Sequence, residues 1–235
     1  MGLNIGIFMG VSRPVRIFLE TASINDVREI CEWGIIDGVT TNQKIFQKEG
    51  NVDFKQRVLE ICEAANGPVS VETTTHGVSN LLKEAREYSK WHKNVVVKVA
   101  MAGNGEGLKV VSQLNKEGIK TNMTVMMNFN QLVLASKAGA TYVSLFYNRA
   151  KDAGEDPIKA IKDYVSFAKN NNAASLIVGS IRKPEDVTEA VRVGAHIVTV
   201  TPEIIRKLPF HPKSEETIEE FDKAWKDFTA LKEKN

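Results

Sequence analysis

Val95-Val96-Val97-Lys98-Val99-Ala100 is an apolar run of strand length interrupted by one lysine. A run so rich in β-branched residues, with no polar alternation, predicts a strand buried on both faces, as in a parallel sheet. Lys98 falls near its C-terminal end. An ammonium among apolar neighbours loses solvation, so its charged form is disfavoured and the neutral amine that attacks carbonyls becomes accessible. The same position also suits a lysine that snorkels to water.

Reading outward from this run, seven further short segments have strand character: Arg16 to Glu20, Gly38 to Thr40, Val69 to Glu72, Lys120 to Met123, Tyr142 to Phe146, Ser175 to Val178 and Ile197 to Val200. Helical periodicity and plausible caps separate them, over Ser23 to Trp33, Phe54 to Ala65, Ser79 to Ser89, Gly107 to Glu117, Asn130 to Ala138, Pro157 to Lys169 and Pro184 to Val193. Repeated strand–helix units favour a parallel sheet, and eight of them favour closure into a (β/α)8 TIM barrel. The 235 residues suit one such domain. Residues 1–14 read as an N-terminal extension: their apolar run lacks the basic leader, the length and the cleavage site of a secretory signal. Residues 214–234 read as an additional C-terminal helix. There Ile218, Phe221, Trp225, Phe228 and Leu231 recur every three or four positions, a stripe for this barrel or for a neighbouring subunit.

Composition removes several function classes. Thirty-one basic residues against 29 acidic ones leave no field for a nucleic-acid partner. No run reaches the roughly 20 apolar residues of a membrane-spanning helix, so no membrane association is expected. Cys31 and Cys62 offer neither a disulfide framework nor a zinc knuckle, and reduced thiols fit a cytoplasmic protein. His76, His92, His196 and His211 lack metal-ligand spacing, so neither a metal nor a cofactor is expected. Gly103-Asn104-Gly105-Glu106-Gly107 lacks the glycine spacing of a dinucleotide fingerprint and reads as a loop and helix start.

Catalytic groups in such a barrel stand at the C-terminal ends of its strands. Taken strand by strand, these are Glu20, Thr40 and Asn42, Glu72, Lys98, Thr124 after the fifth strand, Phe146 and Arg149, and Ser180. A lysine facing two carboxylates and several hydroxyl or amide groups is the apparatus of a class I aldol enzyme.

Five strings carry a resemblance to a known family: Phe18-Leu19-Glu20-Thr21-Ala22, Asp37-Gly38-Val39-Thr40-Thr41-Asn42, Asn94-Val95-Val96-Val97-Lys98, Glu117-Gly118-Ile119-Lys120-Thr121-Asn122, and Ala138-Gly139-Ala140-Thr141-Tyr142-Val143-Ser144. In this order they resemble the transaldolase family, specifically its short branch, which includes the fructose-6-phosphate aldolases. The resemblance spans almost all of the chain beyond residue 15. It implies that Lys98 attacks the C2 carbonyl of a ketose, forms an imine, and holds dihydroxyacetone as an enamine. Glu20 stands where the family has an aspartate that takes the C4 hydroxyl proton. Glu72 and Thr124 match positions that hold a catalytic water, and Thr40 and Asn42 match donor-site positions. Arg149 and Ser180 match the site for the terminal anion, with Arg182 on the same loop. The resemblance also implies a homo-oligomer, a pentamer or decamer, and a sugar-phosphate or sugar-sulfonate ligand.

Two features bear on the reaction. The family's aldolases carry glutamine and tyrosine at the positions of Glu72 and Phe146, whereas its transaldolases resemble this chain, which favours transfer over cleavage. A fructose-6-phosphate aldolase releasing free dihydroxyacetone and a silent sugar-phosphate-binding protein are the alternatives. Departures cluster at Glu20, Gln43-Lys44, Ala100, Met126-Met127-Asn128-Phe129 and Leu145, which points to a specialised ketose or acceptor. One such ketose is 6-deoxy-6-sulfofructose, with Lys44, Asn128 or Tyr147 as added anion donors.

Overall fold

Strands form where the β-branched runs lie. A computed structural model describes residues 15–232. There β1 (Arg16–Glu20), β2 (Gly38–Thr40), β3 (Val69–Glu72), β4 (Val95–Ala100), β5 (Thr121–Met126), β6 (Tyr142–Phe146), β7 (Ser175–Gly179) and β8 (Ile197–Val200) pair in parallel and in chain order. β8 closes onto β1, completing a barrel. Around and above it lie α1 (Ile24–Cys31), α2 (Gln43–Lys48), α3 (Phe54–Ala64), α4 (Val78–Tyr88), α5 (Glu106–Lys116), α6 (Phe129–Lys137), α7 (Tyr147–Asp152), α8 (Pro157–Asn171), α9 (Pro184–Arg192), α10 (Pro202–Ile205) and α11 (Pro212–Lys232). This is the (β/α)8 TIM barrel with a C-terminal helix that the periodicity predicts. The expected extension at 1–14 lies outside the described residues.

Side chains of alternate parity face opposite ways along each strand. One set, including Leu19, Val39, Val71, Val97, Met123, Val143 and Val178, packs outward against the helices in a continuous core. Each such burial is worth about 1.5–3 kcal/mol. The other set fills the barrel. At its lower end Phe18, Ile177 and Ile197 pack together with Tyr142 as an apolar plug. Gly38 makes room for it, because a Cβ there would lie 2.9 Å from the Phe18 ring and 2.7 Å from the Pro68 carbonyl oxygen.

The structure corrects one strand. β5 runs to Met126 rather than ending at Met123, and its pairing with β6 shifts register between Met123 and Met126. Val125 there has φ 62°, a costly left-handed conformation for a β-branched residue. Thr124 therefore lies on the strand, within this irregular stretch and next to Val125. Three short rim helices, α2, α7 and α10, were not expected. With six residues or fewer they fall below a reliable periodicity window.

At the top of the barrel α5 rests directly on β4, and a Cβ at Gly107 would approach the Ala100 carbonyl oxygen to 2.2 Å. Burial pushes the Cys62 thiol up to about 12, with Glu63 adding to the rise, which leaves it an unreactive packing group. On α11 Phe221 is 69% exposed and Trp225 65%, with Ile218 exposed beside them.

Candidate active site

A cavity of about 650 Å³ opens at the C-terminal ends of the strands. Glu20, Thr40, Asn42, Glu72, Lys98, Thr124, Phe146, Arg149 and Ser180 all line it, so the fold gathers these side chains from all but the last strand and the loops that follow. Arg182 does not share that wall. Its guanidinium is engaged by the Asp152 carboxylate, with Nη1 3.0 Å from Oδ1.

Lys98 is nearly inaccessible, at 5% exposure. Its Nζ donates to the Thr41 carbonyl oxygen at 2.9 Å and forms an ion pair with Glu72 Oε2 at 2.9 Å. The apolar surroundings expected for the amine are thus found along the strand but not at its tip, where the two nearest partners are oxygens. Strand register explains the pair: Glu72 aligns with Lys98 across β3 and β4, so same-parity side chains meet inside the barrel.

The wall beside β2 is built around Asn42. Its Nδ2 donates to Glu20 Oε1 at 3.3 Å, and its Oδ1 accepts the Ile45 N–H at 3.1 Å, capping α2. Gln43 then donates through Nε2 to the Thr73 carbonyl oxygen at 3.0 Å, tying α2 to the loop after Glu72. Burial pushes the Glu20 carboxyl above the usual carboxylate range, against the opposing charges of Lys98, Arg149 and Lys48 and with the help of Glu72.

Below the lysine is a polar layer that sequence reasoning passed over. Ser144 Oγ donates to Asn122 Oδ1 at 2.7 Å, and Asn122 Nδ2 donates to Ser70 Oγ at 3.1 Å. Thr40 and Thr199 share a 2.6 Å hydroxyl contact. Asn122, Ser144 and Thr199 line the cavity floor. Asn122 is aligned with Lys98 across β4 and β5, and a polar residue of that parity within a buried strand was the available signal. Above this layer the Thr124 hydroxyl is buried in the cavity wall with no hydrogen-bond partner among the described residues.

Across the cavity Arg149 lies with its guanidinium carbon 5.3 Å from the Phe146 ring centroid. Among the described residues it makes no ion pair. Ser180 adopts φ 58° at the end of β7. Of the three added anion donors expected, only Lys44 lines the cavity, together with Lys48 one turn later. Asn128 is bound to Glu155, and Tyr147 is buried with its hydroxyl on Glu189. The loop from Gly103 to Gly105 lies outside the cavity lining.

Among the described residues no group of three or more His, Cys, Asp or Glu side chains is arranged to hold a metal ion. None of the described helices is long and apolar enough to cross a membrane.

The profile of the Transaldolase/Fructose-6-phosphate aldolase family matches residues 17–235. A probable transaldolase of Caldicellulosiruptor saccharolyticus is 44% identical over 213 residues, which cover 90% of this chain and 97% of that protein. A probable transaldolase of Thermoanaerobacter is 41% identical over 213 residues, with the same coverage. One from Petrotoga mobilis is 41% identical over 223 residues, covering 94% of this chain and all of its own. With the family profile spanning nearly the whole barrel, the chain belongs to the transaldolase/fructose-6-phosphate aldolase family.

Proposed function

We propose that this cavity transfers a dihydroxyacetone unit from a ketose with an anionic C6 group to an aldehyde acceptor, through an imine on Lys98. The observation that carries the reading is the Lys98 amine, buried at the base of an open cavity 2.9 Å from the Glu72 carboxylate, with Glu20 on the facing wall.

Nζ adds to the C2 carbonyl, and loss of water gives the protonated imine. Glu20 takes the C4 hydroxyl proton as the C3–C4 bond breaks, the bonding pair moves into the imine, and the shortened aldehyde departs. The remaining enamine adds to the acceptor carbonyl, and water releases the new ketose. Thr124 and Glu72 hold the water that enters and leaves in the imine steps. The Thr124 hydroxyl, without a partner among the described residues, supports this, since such a buried hydroxyl is costly unless something occupies the space before it. Thr40 and Asn42 bind donor hydroxyls. Arg149 and Ser180 bind the C6 anion, which is phosphate in fructose 6-phosphate or sulfonate in 6-deoxy-6-sulfofructose. Arg149, which makes no ion pair among the described residues, supports that role, and Arg182 joins the site on leaving Asp152.

Transfer, rather than release of free dihydroxyacetone, is supported by the absence of any phenol from the cavity lining among the described residues. Phe146 has no hydroxyl, and that of the adjacent Tyr147 is committed to Glu189. The acceptor is an aldehyde such as glyceraldehyde 3-phosphate or erythrose 4-phosphate. The free thiols of Cys31 and Cys62 support a cytoplasmic setting, and the exposed Phe221 and Trp225 of α11 support assembly into a homo-oligomer.

The test is borohydride reduction in the presence of fructose 6-phosphate or, separately, 6-deoxy-6-sulfofructose, followed by peptide mass analysis. A reduced adduct on Lys98, together with new ketose formed by the unreduced enzyme only when acceptor is added, supports the reading, and the preferred ketose identifies the donor. Free dihydroxyacetone without acceptor supports the aldolase alternative. A folded protein that forms no adduct with either ketose overturns the proposal.

A further inference from the structure

Arg149 and Ser180 reach the cavity from different βα units. Arg149 stands on α7 after β6, and Ser180 follows β7. Their spacing therefore depends on what joins those two segments, and one side chain joins them directly. Asn148, the neighbour of Arg149, donates through Nδ2 to the Ser180 carbonyl oxygen at 2.8 Å and to Asp186 Oδ2 at 2.7 Å. The Asn148 backbone N–H reaches the same Ser180 carbonyl at 3.3 Å.

Asp186 completes the connection. It is fully buried in the first turn of α9, and its Oδ2 also accepts the backbone N–H groups of Arg182 at 2.9 Å and Lys183 at 3.2 Å. The chain just beyond Ser180 is thus held from beneath by a carboxylate and from the side by Asn148. Ser180 itself keeps φ 58°, which a non-glycine residue holds only when its surroundings impose it.

Helix capping alone does not account for this arrangement. A serine, threonine or asparagine at the Lys183 position would cap α9 without burying a charge. Instead the chain buries a carboxylate whose second oxygen has no partner among the described residues, and that is a cost to folding.

We propose that Asn148 and Asp186 are a positioning pair for the anion subsite, setting the backbone of Ser180 at a fixed distance from Arg149. Neither lines the cavity, so both act through the residues that do. The inference rests on the reading of Arg149 and Ser180 as the anion site. Its ligand class is a tetrahedral oxyanion at the end of a sugar, and the pair affects its binding rather than bond cleavage.

The test compares the full-length wild type with Asn148→Ala, Asp186→Asn and, as a control, Arg149→Ala. Affinity for inorganic phosphate is measured by calorimetry, and steady-state kinetics are run with fructose 6-phosphate and with unphosphorylated fructose. Asn148→Ala is expected to weaken phosphate binding about tenfold and to raise KM for fructose 6-phosphate to match. Its kcat should stay within about twofold and its kcat/KM for fructose should not change. Asp186→Asn keeps the acceptor oxygen but not its charge, so it should give a smaller loss of the same kind, and it provides the readout if Asn148→Ala fails to fold.

Wild-type phosphate affinity in a folded variant overturns the pair, as does an equal fall in kcat/KM for both sugars. If the wild type binds phosphate through Arg149 but forms no adduct on Lys98, the transfer reading fails while the pair is still judged by phosphate affinity. If the wild type binds no phosphate, or Arg149→Ala binds it equally well, the anion site and the pair fail together.

Discussion

Asn42 meets Glu20 through its amide nitrogen at 3.3 Å, while the oxygen of the same amide starts α2. One side chain thus orients the candidate base and anchors the short helix forming the adjacent cavity wall. Asn42→Asp keeps the cap but sets a second carboxylate against the first. The Glu20 carboxyl already lies above the usual range through burial, so added negative charge must raise it further. The base form then appears only at higher pH, and the acid limb of the kcat/KM profile should move upward. Asn42→Ala should instead cost about 1 kcal/mol of stability through the lost cap. An acid limb unmoved in Asn42→Asp would separate Glu20 from the rate-determining proton transfer.

Thr124→Val removes a hydroxyl that has no partner among the described residues, so the thermal midpoint should hold or rise slightly. Single-turnover imine formation should nevertheless slow by about tenfold or more, and Glu72→Gln should slow it by about 10²-fold or more. Rapid-quench borohydride trapping measures both. A Thr124→Val enzyme that is less stable yet equally fast contradicts the assignment.

Glu84 fastens the loop that follows Glu72. It accepts both the N–H and the hydroxyl of Thr74 and of Thr75, together with the Tyr88 hydroxyl. Burial raises its carboxyl, but these hydrogen bonds prevail and bring it down to about 2. An unfolded glutamic acid takes up its proton near the ordinary value of 4.5. The stabilisation is therefore complete above that value and is lost as pH falls toward about 2. Glu84→Gln should cost about 1 kcal/mol at neutral pH, allowing for partial exposure to water. Its stability gap to the wild type should close progressively on acidification below 4.5 in urea titrations. A gap that is constant with pH would assign the effect to packing.

Gly107→Ala places a methyl group 2.2 Å from the Ala100 carbonyl oxygen, a backbone atom that moves only if β4 or α5 shifts. The expected loss is about 1–3 kcal/mol, seen as a lower urea midpoint. An unchanged midpoint would show that the contact yields freely.

For α11, a double Phe221→Glu and Trp225→Glu variant alters two side chains that are 69% and 65% exposed in the isolated chain. Barrel stability should barely change, because neither belongs to the core. The mass measured by light scattering should fall to that of a smaller species. An unaltered mass would count against assembly through this stripe.

The eight strands could be read from sequence because a strand buried on both faces leaves a compact apolar run. The inward set of side chains was harder to read, because parity shows only when neighbouring strands are in register. Lys98 stood out as a charge, whereas Asn122 and Ser144, of the same parity and equally enclosed, looked like ordinary strand polarity. Arg182 illustrates the reverse case. Its proximity to Ser180 in sequence placed it beside the anion site, but Asp152 arrives from a separate βα unit, and no local pattern reveals that pairing. The bulge at Val125 was equally hidden, since a valine is the residue least expected at positive φ.

Lys98 is aimed by a main-chain atom, the Thr41 carbonyl oxygen, as well as by Glu72. Substitution cannot delete a backbone carbonyl, so the direction of the amine is inherited with the barrel and not renegotiated with each change in the wall. On the proposed function, the cavity-lining Gln43 and Lys44 are thereby released to vary with the ketose while Lys98 and Glu20 stay. On that proposal, diversification of substrate would proceed around a fixed nucleophile, with new selectivity explored one loop at a time and the bond-making chemistry left in place.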